Sequence, residues 1–300
     1  MTGLVTLKDN ANFAVMAAAM GMNADVKREA KKSMLARLKI DHSGVMGQEE
    51  IKGKIKKVQV VDAGMYCLTI PGEEADRKIY CAKPIVRLFN QRFMYKRFIK
   101  EGDSGRFVKT LMDVDLKSDL RDTDGGFNCG KPSGWVEDYK ALPDDTKNLI
   151  KSIKRVRVLF GTITMFDAVD ETGAAVEDIQ NVPFIWEVDN KTSFKDMGAP
   201  IAQLAKNNRL LPQHTITLTT KENPLPNGNS FWTAVPALDM VTSVILSDQD
   251  QETFSFFNDW IKDYNVYINT AFNNARKSSE DAEMKDVVEE FVEIEVREAA

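Results

Sequence analysis

The sequence predicts an α+β protein in which β-strands predominate. Apolar and polar side chains alternate over segments such as 51–58 and 154–160, which is typical of half-buried strands. Residues 191–210, by contrast, carry apolar side chains at helical spacing between two strand-like segments. Hydrophobic residues make up 43% of the chain, which is enough to build a packed core around these elements.

Residues 1–45 are interpreted as a basic N-terminal helical arm. The stretch 11–40 is rich in Ala, Met, Lys and Arg, and Gly21 is the expected break in its helix. Such an arm would contact DNA or a neighbouring protomer, or it would simply cap the core. The core itself is expected to span residues 46–245.

Two strand-like stretches open the core and are joined by a turn-rich segment, 71–76. A hairpin folded about Glu74 would place Cys67 directly opposite Cys81, because both cysteines lie seven residues from it. Period two puts three lysines on one side of the first stretch, where they would form part of a cationic sheet face: Lys52, Lys54 and Lys56.

The segment 83–100 carries six basic side chains, no acidic one and four interleaved aromatic rings. Cations neutralise phosphates and exposed rings stack on unpaired bases, so this composition suits a single strand of nucleic acid. The alternative is an ordinary half-buried strand whose rings are core and whose charges are solvated. Read as a strand, the segment would present one cationic and aromatic face, formed by Arg87, Phe89, Gln91, Phe93, Tyr95 and Arg97.

Residues 101–150 are rich in Gly, Asp, Ser and Pro and are expected to form a loop-rich insertion within the core. The insertion would close with a helix that begins near Pro143. The strand that follows it places Arg155 and Arg157 on one side, opposite a row of apolar residues.

The last part of the core contains a strand, a helix and a hairpin. Trp186 stands among apolar neighbours in the strand and is expected to be buried, and Thr192 or Ser193 would cap the helix. The hairpin spans residues 214–238. Short strands with a helix inserted before the last of them have the arrangement of an OB-like barrel, whose strands and loops bind single-stranded nucleic acid.

An aromatic helix over 246–278 and an acidic tail over 279–300 are predicted after the core. The tail has nine acidic residues against two basic ones, a net charge of −7, so the rest of a chain of net charge −5 sums to +2. Such a tail can compete with DNA for a basic surface or recruit partner proteins, and the plain alternative is a solubilising helix. The candidate partner-binding residues are Glu289, Glu290, Phe291, Glu293 and Glu295.

The sequence contains no phosphate-binding Gly-rich loop and no Gly-x-Ser-x-Gly motif, and no cofactor is predicted. The Asp-rich segment 113–124 is expected to be a solvated loop, and an enzyme that binds magnesium there is the least favoured alternative. One histidine and three cysteines have the composition of a structural zinc site, but their wide spacing disfavours zinc: His42, Cys67, Cys81 and Cys129.

The cellular compartment is predicted from what the sequence lacks. No apolar run reaches the ~18 residues of a membrane span, and the first residues lack a secretory pattern. An odd number of cysteines, three, argues against a disulfide scaffold. A reducing cytoplasm is therefore expected, without membrane contact.

The order of these features resembles that of the single-stranded-DNA-binding proteins of tailed bacteriophages. The resemblance covers about residues 51–238 and rests on the layout and on the stretches IWEVDNKTSFKDMGAPIAQLAKNNRL, HTITLTT and GNSFWTAVPALD. Two features depart from known members. The last aromatic is Phe291, nine residues before the end, whereas one member ends in an aromatic residue. The close cysteines of a zinc-binding member are also missing, so the metal is not carried over.

The resemblance implies a protein without enzymatic activity that coats and protects single-stranded DNA during phage replication, recombination and repair. Its tail would contact the replicative polymerase or helicase in the host cytoplasm, and it would be able to self-associate. The alternative is a phage structural or assembly protein that uses the basic stretch and the tail for protein contacts. The residues expected to bind nucleic acid are Lys52, Lys54, Lys56, Arg87, Phe89, Arg92, Phe93, Tyr95, Lys96, Arg97, Arg155, Arg157 and Trp232.

Overall fold

The computed structural model describes residues 35–51, 54–102, 104–134, 137–226 and 228–298, with residues 49–51, 54 and 278–298 described by their backbone alone. The strands are β1 Ala36–Ile40, β2 Val45–Ile51, β3 Lys54–Val61, β4 Tyr66–Ile70, β5 Arg77–Cys81, β6 Ile85–Glu101, β7 Ser104–Lys109, β8 Ile153–Met165, β9 Val169–Asp170, β10 Ile179–Val188, β11 Thr215–Pro224 and β12 Ser230–Leu238. The α-helices are α1 Asp144–Ser152, α2 Lys191–Asp196, α3 Gly198–Lys206 and α4 Asp248–Glu298.

Ten of the strands form one sheet in the order β12-β11-β6-β8-β10-β1-β4-β5-β9, with β7 paired to the C-terminal part of β6. All pairings in it are antiparallel except that of β1 with β10. Strands β2 and β3 pair separately. The β-rich α+β class is therefore confirmed. Among the described strands the path does not close on itself, so the OB-like barrel stays a prediction.

The strands β6, β8 and β10 carry a different helix on each of their two faces. On the face we call the α4 face, Met94 and Val158 pack with Phe257 and Ile261 of α4. On the face we call the α2 face, a second apolar cluster contains Leu88, Leu159 and Trp186 together with residues of α2 and α3. The buried position predicted for Trp186, at 4% exposure, is thus confirmed.

A β-bulge at Phe89 divides β6 into two parts. Leu88 pairs with Gly161 and Asn90 pairs with Phe160, so Phe89 is an extra residue without a partner on β8. Since one extra residue reverses the alternation of side chains, Arg87 and Phe89 lie on the α4 face. The prediction of one continuous cationic and aromatic face is therefore wrong, because the later residues of that set lie on the α2 face: Gln91, Phe93, Tyr95 and Arg97.

Two sequence predictions near the beginning of the core also need correction. Residues 36–40 were assigned to the helical arm, but they form β1, which is paired on both sides within the sheet, and residues 1–34 of the arm lie outside the described residues. In the hairpin of β4 and β5, Cys67 pairs with Tyr80, while Cys81 pairs with Tyr66. The turn is one residue tighter than expected, so the two cysteines lie on opposite faces of the hairpin.

The predicted loop-rich insertion leaves the sheet after β6 and returns to it at β8. It contains β7, a long ordered loop and α1, which begins directly after Pro143 as expected. The helix signal over 191–210 is divided between α2 and α3. The side chain of Asn190 caps α2 by accepting the backbone N–H groups of Thr192 and Ser193, so neither of the two predicted residues is the cap.

Helix α4 runs without interruption from the aromatic segment through most of the acidic tail. The boundary expected at residue 278 is therefore not a break in the backbone. The tail residues proposed for partner binding belong to this helix, and their side chains lie outside the described ones: Glu289, Glu290, Phe291, Glu293 and Glu295. No described helix is both long and apolar enough to pass through a bilayer.

Candidate nucleic-acid interface

The centre of the candidate site is Arg157 of β8, whose guanidinium carbon lies 4.9 Å from the ring centroid of Phe93 and 4.8 Å from that of Phe194. The two rings belong to β6 and α2 and are themselves 6.0 Å apart. Arg157 Nε donates to the carbonyl oxygen of Phe194 at 3.1 Å, and Nη1 donates to Oε1 of Gln91. Hydrogen bonds and cation–π contacts therefore fix the guanidinium between two half-buried rings on the α2 face.

The surroundings of Arg157 are close-packed, and no carboxylate of the described residues lies at ion-pair distance from it. Burial lowers the pKa of Arg157 from its ordinary value, as it does for a cation that loses part of its hydration. A Cβ on Gly198, the first residue of α3, would lie 2.5 Å from Nη2 of Arg157. Gly198 therefore leaves the space that the guanidinium occupies.

Arg155 extends this cation–ring cluster into solvent. It is exposed, and its guanidinium carbon lies 6.0 Å from the ring of Phe194. Arg155 of β8 is paired with Tyr95 of β6, and Arg97 lies two residues beyond Tyr95 on the same face. Arg97 is half-buried, and its Nε finds no hydrogen-bond partner among the described residues.

A lysine and an aspartate border this part of the α2 face. Lys131 Nζ lies 5.7 Å from the ring centroid of Tyr95. Asp119 accepts hydrogen bonds from Ser133 and Asn128, and these bonds, followed by the charge of Lys131, lower the pKa of its carboxyl. Within the part of the chain that the structure describes, four cations of this region form no ion pair: Arg97, Lys131, Arg155 and Arg157.

Three lysines of the α4 face, by contrast, are paired with carboxylates from β10 or from the loop after it. Lys96 Nζ lies 3.1 Å from Glu187 and 3.4 Å from Asp189. Lys109 reaches Glu187 at 2.8 Å, and Lys154 reaches Asp189 at 3.0 Å. Burial alone would raise the pKa of both carboxyls, but the charges and hydrogen bonds of the lysines outweigh it and leave both pKa values below the ordinary range.

Three further predicted residues lie in or beside the α4 face, and helix α4 contacts two of them, Phe89 and Arg87. Phe89 is 6% exposed, and its ring lies 5.8 Å from that of Phe257. Arg87 forms a 3.1 Å ion pair with Asp250 and donates to the carbonyl oxygen of Pro212. Arg92 donates to its neighbours in β6, and burial lowers its pKa. A phosphate or a base has no access to the ring of Phe89 in this conformation.

The remaining predicted residues are not gathered at the site. Tyr95 is on the α2 face, but it is only 4% exposed, beneath the loop that contains Cys129. Lys56 is exposed on β3, which belongs to the separate two-stranded sheet. Trp232 is half-buried against Gly64, where a Cβ would come within 2.4 Å of the indole. The side chains of two other lysines lie outside the described residues: Lys52 and Lys54.

The four residues weighed as zinc ligands are separated in the fold. Nδ1 of His42 accepts the backbone N–H of Trp232. Cys67 and Cys81 face opposite sides of their hairpin, and Cys129 lies under Val108 in another cluster. The described residues contain no group of three or more His, Cys, Asp or Glu side chains that could hold a metal ion.

The Asp-rich segment is a loop, as predicted, and Asp119 and Asp124 are exposed in it, but Asp122 is not solvated. Asp122 is 2% exposed and accepts backbone N–H groups from Asp124, Gly126 and Cys129. Its burial raises the pKa of its carboxyl, and the three hydrogen bonds oppose that rise. Asp122 thus supports the fold of the loop.

Sequence reasoning missed Phe194 as a member of the site, because its place in the apolar stripe of a helix indicated core. Phe194 lies in the first turn of a helix that directly follows a strand, and this position is the signal from which its closeness to β8 could have been predicted. Comparison of the chain with protein-family models, with curated protein sequences and with solved structures finds no match in any of the three.

Proposed function

We propose that the protein binds single-stranded DNA without sequence preference on the α2 face of its sheet. The observation that carries the proposal is the cation–ring cluster. There Arg155 and Arg157 have no carboxylate partner among the described residues and lie against Phe93 and Phe194. Arginines would bind phosphates, and the half-buried rings would contact bases, which is how proteins bind single strands of any sequence.

The contrast with the α4 face supports this choice of surface. A cation already neutralised by a carboxylate releases no net counterions when it meets a phosphate, whereas a cation without such a partner does. The cluster on the α2 face is therefore the better phosphate site. The proposal does not need a closed OB-type barrel, because a sheet floor with cations and rings supplies the same contacts.

The biological role proposed with it is non-enzymatic. The protein would protect exposed single strands during phage DNA replication, recombination and repair, and the acidic part of α4 would contact a polymerase or helicase. This part of the proposal is supported by the resemblance in layout and by the segregation of nine acidic residues into the last part of the sequence.

The proposal is tested by fluorescence-anisotropy titration of a labelled poly-dT oligonucleotide at several salt concentrations. We expect tight, salt-sensitive binding by the full chain. Arg155→Ala should weaken it and reduce the slope of log K against log salt by about 0.7, the value for one phosphate of a single strand. The matched control is Arg77→Ala, which removes another exposed arginine, on β5, four strands away from β8.

Three outcomes bear on the proposal. Absence of binding at low salt would contradict it, and an unchanged salt slope for Arg155→Ala would remove this face from the site. A chain ending at Ser278 should bind more tightly, or with less dependence on salt, if the acidic segment competes with DNA.

A second candidate function is protein assembly through α4. The side of this helix turned away from the sheet exposes Phe256, Val266 and Tyr267 by 39%, 53% and 64%. Exposed apolar side chains on a long helix favour contact with another protein or a second copy of this chain. Light scattering that shows a large assembly without DNA, together with no binding of poly-dT, would favour this function.

A further inference from the structure

The hairpin formed by the end of β6 and β7, residues 96–109, carries a pair of exposed rings. Phe98 and Phe107 are directly opposite each other in the register, and their centroids are 5.1 Å apart. They are 52% and 51% exposed, whereas Phe89 and Tyr95 of the same strand are 6% and 4% exposed. The most exposed ring of β6, that of Phe98, thus lies on this hairpin, within the segment 83–100 but outside the residues predicted to bind nucleic acid.

Local packing holds the two rings in place. A Cβ on Gly105 would lie 2.2 Å from Cζ of Phe98, so the ring of Phe98 lies across the backbone of Gly105. Lys96 Nζ lies 5.0 Å from the ring centroid of Phe107, and the same ammonium group is anchored by Glu187 at 3.1 Å. The pair is therefore preorganised although half of its surface is in solvent.

The charge of the hairpin complements a polyanion. Residues 96–109 contain five basic and two acidic residues, a net charge of +3. Three of these cations, Lys96, Lys109 and Arg106, are paired with carboxylates. Lys100, on the same side as Phe98, is exposed and forms no ion pair among the described residues. Exposed rings bordered by excess positive charge fit the unpaired bases of a single strand, whose faces stack on aromatic side chains.

We propose that Phe98 and Phe107 form a base-stacking platform for the same single strand that binds the α2 face. This inference rests on the proposed function. Phe98 lies five residues beyond Phe93 on β6, about 17 Å at the rise of an extended strand. This odd separation puts Phe98 and Phe107 on the opposite side of β6 from Phe93, the side of Lys96. An oligonucleotide that contacts both must therefore cross the edge of β6 beyond Arg97, the last residue of β6 that pairs with β8. The α2 face would then bind mainly phosphates, while the hairpin would bind mainly bases.

Another explanation for the two rings is that they only stabilise the hairpin as a cross-strand aromatic pair. The two explanations differ in what they predict for a strand without bases. A stacking platform distinguishes a base-bearing strand from an abasic strand of equal length and charge, and a purely structural pair does not.

The test uses the full chain and two labelled 16-mers, poly-dT and an abasic deoxyribose-phosphate strand. Phe98→Ala combined with Phe107→Ala should weaken binding of poly-dT about tenfold, which corresponds to stacking of one base, and leave binding of the abasic strand unchanged. Phe98→Trp should retain the affinity for poly-dT. Tyr267→Ala, which removes a 64% exposed ring from α4, is the matched control.

The outcomes distinguish a failure of this inference from a failure of the proposed DNA-binding function. Wild-type affinity of the double variant for poly-dT would overturn the platform alone, and so would an equal loss on both strands. If the wild-type protein binds neither strand at low salt, both proposals fail. Thermal unfolding of each variant by circular dichroism shows whether an observed loss reflects a damaged fold.

Discussion

The two faces of β6 and β8 carry similar numbers of basic side chains, but those side chains have different partners. On the α4 face, Lys96, Lys109 and Lys154 meet Glu187 and Asp189 at 2.8–3.4 Å. On the α2 face, Arg155 and Arg157 meet aromatic rings, and Arg157 also donates to the carbonyl oxygen of Phe194. Neither has a carboxylate at ion-pair distance among the described residues.

This difference shows that a basic stretch of sequence is not yet a binding surface. Part of its charge is used within the fold, where Arg87 and Lys96 form ion pairs that stabilise the packing of helix α4 and β10 on β6. Other cations, such as Arg97, form no ion pair among the described residues. We therefore expect changes of the buried and ion-paired residues of the α4 face to alter mainly stability, and changes on the α2 face to alter mainly affinity.

The largest effect is expected from Phe257→Ala. Phe257 of α4 is fully buried against β6 and β8, and its ring centroid lies 5.8 Å from that of Phe89 and 5.7 Å from that of Phe160. We expect a loss of about 3–5 kcal/mol in the free energy of unfolding, because a large buried ring leaves a cavity. Urea unfolding measures it, and Phe256→Ala, at 39% exposure, should cost much less. A loss of poly-dT affinity per folded molecule would contradict the division of roles between the faces.

A smaller and pH-dependent effect is expected from Glu187→Gln. The pKa of Glu187 is lowered in the folded protein, so its contribution is fully present above the unfolded pKa of about 4.3 and is lost as pH falls through the folded value. The variant should be about 2 kcal/mol less stable at pH 7 and no less stable at pH 2. Unfolding curves at both pH values test this, with Glu171→Gln, a 60% exposed partner of Lys78, as control. A pH-independent difference would show that the ion pairs are not its source.

The smallest effect on stability, and a selective effect on binding, is expected from Gly198→Ala. The new methyl group would meet the flexible end of Arg157 at 2.5 Å, so the guanidinium must move away from Phe93 and Phe194. We expect a change in unfolding free energy within about 1 kcal/mol, because alanine also favours the helix. Affinity for poly-dT should nevertheless fall several-fold. Unchanged affinity in anisotropy titrations would show that the position of Arg157 does not matter for binding.

Much of the fold follows from local sequence, as β8, the β11–β12 hairpin and the start of α1 illustrate. The bulge at Phe89 does not, because it depends on the strand that β6 meets. Gly161 of β8 allows the backbone to approach so closely that a Cβ there would lie 2.3 Å from the carbonyl oxygen of Arg87. That approach cannot be read from the segment 83–100 itself, yet it decides which face each later side chain occupies.

Only some residues of the candidate site were predicted correctly from the sequence. Phe93, Arg155 and Arg157 were identified from charge and aromatic content, and the structure brings them together. Phe89 and Arg87 were included on the same grounds but lie against α4, since pairing over more than 150 residues of sequence places Asp250 and Phe257 there. Composition identifies residues able to bind DNA, and only tertiary contacts show which of them are free to do so.

The most direct test of the account is photochemical cross-linking of a poly-dT strand that contains 5-iodouracil, followed by mass spectrometry of the modified peptides. The account predicts cross-links to Phe93 and Phe194 on the α2 face and to Phe98 or Phe107 on the hairpin, all weakened by high salt. Cross-links concentrated on the exposed side of α4, at Phe256 or Tyr267, would contradict it.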